Sequence, residues 1–251
     1  MTATQTAVVT IGNFDGVHLG HQKLVREAAD RARALGLMSL AITFDPHPEQ
    51  ILFPERKRTH LSTSEERRSL LHACGIDDVW VCPFTIELAR LEPEEFMRLV
   101  TDRQPMAELW VGADFALGRG RKGTISVLAE IGSALGWGLH MVPPLRLEGQ
   151  VVSSTAIKTL LAASAVRGAS DLLGRTYSAP GDFADTDTDI LTLDPLRALP
   201  KPGVYEGQLH QDDVTREVPL IVLPTPGKVQ LAAEVPHHTG KASIDFLRRG
   251  D

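Results

Sequence analysis

The chain has 251 residues, enough for one large domain or two small ones. With 43% hydrophobic and 23% charged residues it has an ordinary globular composition, and a net charge of −6 supplies no overall field favouring nucleic acid or an acidic membrane surface. No apolar run is long enough to cross a bilayer, and Met1-Thr2-Ala3-Thr4-Gln5-Thr6 lacks the basic region and apolar core of a signal peptide, so a cytoplasmic protein without a membrane partner is expected.

The apolar run Ala7–Ile11 reads as a buried strand and Gln22–Leu35 as an amphipathic helix, with Leu24, Val25, Ala28, Ala32 and Leu35 on one stripe. Between them lies Gly12-Asn13-Phe14-Asp15-Gly16-Val17-His18-Leu19-Gly20-His21. A strand, a glycine-rich turn and a helix in that order build an anion site. The free N–H groups of the first helical turn face the ligand, and the helix dipole favours negative charge there. His18 and His21, three residues apart, fall on the same side of that helix entrance and can donate hydrogen bonds to a phosphate. The string is neither the dinucleotide fingerprint nor the phosphate loop ending in Lys-Ser/Thr.

A second strand is expected over Ser39–Phe44, apolar throughout as in a parallel sheet covered on both faces. It runs into Asp45-Pro46-His47-Pro48, a stiff extended turn suited to walling a flat ligand. Ser62 with Glu65 offers a capping box for a helix reaching about Cys74. Val79–Phe84 reads as the third strand. Pro93 opens a helix to about Thr101, with Glu92, Glu94 and Glu95 at its positive end. The fourth strand, Glu108–Val111, leads into a loop, Gly112 to Gly123, holding four glycines and three basic residues, a composition that lets backbone approach a polyanion. A helix over Thr124–Gly136 and a fifth strand over Leu139–Val142 follow. Ser153 or Ser154 then caps a further helix carrying Thr155 and Lys158. Cys74 and Cys82, in a helix and a strand, read as buried thiols in a reducing compartment, without zinc spacing.

Alternating strands and helices predict a parallel, doubly wound sheet, whose ligands bind beyond the carboxyl ends of the strands. Taken singly, each stretch also reads as a capped helix, a strand-ending turn or a solvated loop. Their common placement after strands predicts that they converge on one edge.

The four motifs, from Gly12 to His21, Thr43 to Pro48, Val111 to Phe115 and Ser153 to Thr155, resemble in this order the adenylyltransferase module of bacterial FAD synthetases, the bifunctional riboflavin kinase/FMN adenylyltransferases. The first motif is shared with the wider HxGH nucleotidyltransferase superfamily. The resemblance covers residues 5–175 and implies a Rossmann-like α/β fold. It implies that FMN and ATP give FAD and pyrophosphate, with Mg²⁺ carried by the nucleotide and no protein metal ligands. It assigns His18 and His21 to the triphosphate and Gly12, Asn13 and Phe14 to backbone contact with it. Gly112 and Asp114 serve the adenosine side, and Ser153, Ser154 and Thr155 the β/γ-phosphates. Phe44, Pro46, His47 and Pro48 hold the flavin. Lys158 stands where the family has arginine, keeping the charge without the two-pronged donor. Leu117 stands where the family often has an aromatic residue, which predicts a looser loop.

The resemblance continues in Leu172 to Ser178 and Pro202 to Tyr205, the marks of a small kinase barrel. The phosphate-binding turn between them is replaced by Gly181 to Ile190, which carries four aspartates and no basic residue; such a stretch repels a triphosphate and reads as a solvated turn. Strands are expected over Val204–Leu209, Val218–Leu223, Val229–Ala233 and Ala242–Phe246, with Glu234 near the family's base position. The expected organisation is an adenylyltransferase domain over 1–175 and a shortened, degenerate riboflavin-kinase-like β-barrel over 176–251. The expected function is FMN adenylyltransferase without kinase activity. The alternatives are a bifunctional enzyme, a transferase for another phosphorylated alcohol, or a non-catalytic flavin- or nucleotide-binding protein. No nucleic-acid partner is expected, and the oligomeric state stays open.

Overall fold

The structure, a computed structural model, describes residues 5–56, 58–184, 189–232 and 239–250. The chain divides into two compact units, Met1–Arg58 with Thr63–Arg146, and Thr59–Ser62 with Leu147–Asp251.

The first unit runs β1 (Ala7–Ile11), α1 (Leu19–Leu35), β2 (Met38–Asp45), α2 (Pro48–Leu52), α3 (Ser64–Ala73), β3 (Asp78–Pro83), α4 (Ile86–Arg90), α5 (Pro93–Arg103), β4 (Met106–Gly112), α6 (Ile125–Leu135) and β5 (Gly138–Val142). Its five strands form one parallel sheet in the order β3-β2-β1-β4-β5. The chain steps outward from β1 to β3, then returns to the other side of β1. The switch point therefore lies between the carboxyl ends of β1 and β4. Side chains alternate across the sheet. Val9, Ile11, Leu40, Ile42, Leu109 and Val111 pack with Phe96, Met97 and Val100 of α5 and Leu128 of α6. On the other face Ala41 and Val79 meet Leu24, Val25 and Ala29 of α1 and Leu71 of α3. Both faces are covered, which is why the strands read as unbroken apolar runs.

The strands and long helices of this unit fall where expected, with ends shifted by one to three residues. The cap of α3 is one residue later than expected. Thr63 Oγ1 accepts the Glu66 N–H at 3.2 Å and Glu66 returns a carboxylate to the Thr63 N–H at 2.7 Å. Ser-Thr-Ser-Glu-Glu offers the same box in two registers, and the one chosen buries Ser62. The short helices α2 and α4 were not signalled.

A hairpin, β6 (Arg146–Leu147) and β7 (Gln150–Val151), precedes α7 (Ser154–Ala162) and α8 (Val166–Leu173). Then come β8 (Tyr177–Phe183), β9 (Ile190–Leu193), β10 (Gly203–Gln211), β11 (Val214–Val222), β12 (Lys228–Leu231) and β13 (Gly240–Arg249). These last six close an antiparallel barrel in the order β10-β11-β12-β9-β8-β13. It is filled by Tyr177, Tyr205 and Phe246, whose rings pack 5.8–6.2 Å apart at their centroids around Phe246, with Leu209, Leu220 and Ile244. The compact units part at Arg146/Leu147, ahead of the expected 175/176 boundary, because α8 packs against β8 and β13 and α7 against α8. Gly181 to Phe183, expected in a turn, are paired in β8. The following aspartates at 185 and 187, and Glu234, lie outside the described residues.

Candidate active site

The turn after β1 is locked at both ends. Gly12 N–H donates to the Ile42 carbonyl at 3.0 Å, and Thr43 Oγ1 donates to the Asn13 carbonyl at 3.1 Å. Phe14, Gly16 and Val17 then adopt left-handed backbone, with φ of 49°, 78° and 39°. For a phenylalanine and a β-branched valine this is strained. Burial of both side chains in the core against α1 offsets the strain. The turn thus uses its own apolar residues as anchors.

His18 caps α1. Its Nδ1 accepts the His21 N–H at 3.3 Å, so in the neutral ring the proton sits on Nε2. The His18 and His21 rings stack, centroids 3.6 Å apart and 17° from parallel, with Phe14 edge-on to His21 at 5.3 Å. His21 Nδ1 is sealed from solvent and meets no hydrogen-bond partner among the described residues. Burial, and then the neighbouring His18, hold the His21 imidazole well below its ordinary 6.5, so it is neutral at pH 7. An unspent buried polar atom beside a helix N-terminus is a place for an incoming polar group.

At the end of β2, the Phe44 ring packs edge-on to Phe84 at 5.6 Å. The Asp45–Pro46 peptide is cis. The extended turn is shorter than expected, because His47 caps α2 through Nδ1, 3.2 Å from the Glu49 N–H, and Pro48 is already helical. Arg67 of α3, which no motif pointed to, is buried here and donates to the Phe44 carbonyl at 2.9 Å. Burial lowers its pKa while the charges of Asp15, Asp45 and Glu66 oppose that. A sequence signal existed: Arg67 lies four residues before Leu71, on the buried stripe of α3.

The loop after β4 differs from expectation. Leu117 is buried in the sheet core and exchanges two backbone hydrogen bonds with Gly123, at 3.2 and 2.9 Å, so the loop is pinned rather than loosened. Its cations are committed locally. Lys122 Nζ meets the Glu92 carboxylate at 3.1 Å, Arg119 approaches it at 3.8 Å, and Arg121 donates to the Asp114 carbonyl at 2.9 Å. The Gly112 Cα faces Asp114; a Cβ there would sit 3.4 Å from Oδ1.

Residues 12–21, 45–48 and 112–123 thus follow β1, β2 and β4, three neighbouring strands, at their carboxyl ends. Ser153, Ser154, Thr155 and Lys158 belong to the second unit, where Ser153 Oγ caps α7 by accepting the Ala156 N–H at 3.2 Å. Among the described residues no group of three His, Cys, Asp or Glu side chains could hold a metal, and no helix is long and apolar enough to cross a membrane.

A family model for FAD synthetase matches residues 1–156. The chain is 34% identical over 175 residues to a bifunctional riboflavin kinase/FMN adenylyltransferase of Pseudomonas fluorescens, covering 69% of this chain and 56% of that one. It is 31% identical over 207 residues to the protein of that description from Escherichia coli (strain K12), covering 79% and 66%. The chain therefore spans between a half and two thirds of the length of these relatives. A crystal structure of a Streptococcus pneumoniae protein described as a macrolide-efflux protein has the same fold, with a TM-score of 0.85 over 97% of this chain and 85% of that one, at 24% identity. Since the family match begins ahead of the histidine turn and runs through Thr155, the chain belongs to the FAD synthetase family.

Proposed function

We propose that the chain transfers AMP from ATP to FMN, forming FAD and releasing pyrophosphate. The observation that carries this is the stacked His18–His21 pair at the entrance of α1, with its unspent buried Nδ1, at the sheet's switch point. In this reading an FMN phosphate oxygen attacks the α-phosphorus of ATP. A new P–O bond forms as the bond to the pyrophosphate oxygen breaks, and no covalent enzyme intermediate is needed. The protein's part is positioning and neutralising charge on the departing pyrophosphate. The imidazoles donate N–H groups to it, and the first-turn amides of α1 add theirs. Gly12, Asn13 and Phe14 bring backbone to the phosphates, Gly112 and Asp114 take the adenosine side, and Phe44, Pro46, His47 and Pro48 the flavin. By the family resemblance, Ser153, Ser154, Thr155 and Lys158 are the residues assigned to the β/γ-phosphates. Mg²⁺ enters as the magnesium complex of ATP, keeping water and phosphate oxygens as its ligands.

The barrel has lost kinase chemistry in this reading, since the stretch from Gly181 to Ile190 carries four aspartates and no cation. The protein acts in the cytoplasm on two small molecules, without a nucleic-acid or membrane partner. Incubating it with riboflavin and MgATP, and separately with FMN and MgATP, should yield FAD in the second tube and no phosphorylated flavin in the first. Absence of FAD from FMN contradicts the transferase; FMN formed from riboflavin contradicts the loss of kinase activity.

A further inference from the structure

We propose that Arg67 is a positioning residue for the transfer, tying the phosphate-facing turn to the flavin-facing segment through one buried guanidinium; this rests on the function proposed above. The side chain is 3% exposed and comes from α3, outside every motif. Its Nη2 donates to the Phe44 carbonyl at 2.9 Å and lies 3.8 Å from Asp45 Oδ1 at the end of β2. Its charge also couples to Asp15, 2% exposed in the middle of the left-handed turn that presents His18 and His21. Backbone bonds and apolar anchors also hold these stretches, together with the Thr43 hydroxyl on the Asn13 carbonyl and the Ser64 hydroxyl 3.4 Å from Asp45. Arg67 is a buried cation acting on both: it is hydrogen-bonded to Phe44 beside Asp45 and within electrostatic reach of Asp15. A planar fork with five donors can serve two acceptors in a fixed direction, which an ammonium cannot. The spacing between the nucleotide's α-phosphate and the flavin's phosphate then depends on that fork. A shift of about 1 Å in such spacing costs on the order of 100-fold in rate.

The test compares wild type with Arg67→Met, Arg67→Lys and the double variant Asp15→Asn/Arg67→Met, measuring kcat and KM for FMN and ATP, Tm, and hydrogen exchange of the amides of residues 13–17. Arg67→Met should lose about 100-fold in kcat while each KM moves by less than about 3-fold, with faster exchange across the turn. Arg67→Lys should fall between. The double variant, which removes the Asp15 charge together with the guanidinium, should regain Tm and keep the low kcat. Recovery of kcat together with Tm in the double variant overturns the inference, because Arg67 would then act only as a charge partner. Should Arg67→Met fail to fold, the lysine and double variants decide. A wild-type protein that makes no FAD sinks the proposed function and this inference with it; wild-type FAD synthesis matched by Arg67→Met sinks the inference alone.

Discussion

The histidine pair shows what one side chain's surroundings decide. The H-x-x-H spacing was readable from the sequence, and so was its place at a helix entrance. Which ring caps the helix, and that the two stack at 3.6 Å, depend on the left-handed backbone at Phe14 and Val17, which no propensity favours. Arg67 was missed because its partners, Asp15, Phe44 and Asp45, lie 52, 23 and 22 positions away and only the fold unites them. The environment of His21 has a consequence for pH. Its native imidazole titrates well below 6.5, while the unfolded chain's titrates near that value. Below pH 6.5 the unfolded state takes up a proton that the native state refuses, so stability falls as pH drops. The Tm of wild type should decline relative to that of His21→Gln between pH 7 and pH 5; parallel curves would show that His21 is not held neutral.

Among the elements, periodicity located the five strands and the helices α1, α3, α5 and α6, because burial on both faces leaves a strong apolar signal. Boundaries and caps were less legible. Ser62 and Thr63 offer equivalent boxes, and only the packing of α3 chooses. In the tail, β8 carries Pro180 and Gly181 inside a strand, which masks it in the sequence. The loop after β4 also read as a solvated basic loop, but Lys122 and Arg119 meet Glu92, Arg121 binds the Asp114 carbonyl, and the backbone is pinned against Pro93. Gly118 has a φ of +72°, and a Cβ there would lie 2.9 Å from the Pro93 backbone nitrogen; Gly120, at +64°, has open space around it. Gly120→Ala should therefore cost about 1–2 kcal/mol of backbone strain. Gly118→Ala should cost a further ~1–3 kcal/mol because the clash is with backbone. Denaturant unfolding of both variants checks the ranking, and equal costs would show that the loop does not dock on Pro93.

At the scale of the molecule, the sheet order could be inferred only as far as "parallel and doubly wound"; the order β3-β2-β1-β4-β5, which sets the switch point, required the structure. The barrel was expected from the family resemblance and is observed; the residues alone show only a row of strands, since ring closure is a property of pairing and not of any segment. Glu108 knits the first unit together. It takes a two-pronged hydrogen bond from Arg31 of α1 at 2.7–3.1 Å, another from Trp110 Nε1 at 2.9 Å, and lies 3.4 Å from His140 Nε2 of β5. The Arg31 guanidinium, foremost, holds the Glu108 carboxyl below the usual range. Its contribution is present above the unfolded carboxyl's pKa, near 4.3, and is lost as pH falls through the native value. Glu108→Gln should be destabilised at pH 7 and converge on wild type in strong acid; a constant difference across pH would contradict this. The central claim concerns the turn after β1, and pyrophosphate release from FMN and MgATP tests it most directly. Wild type should release pyrophosphate in step with FAD, and His21→Ala should do so at least about 100-fold more slowly while retaining its fold. Release by His21→Ala at the wild-type rate would contradict the account.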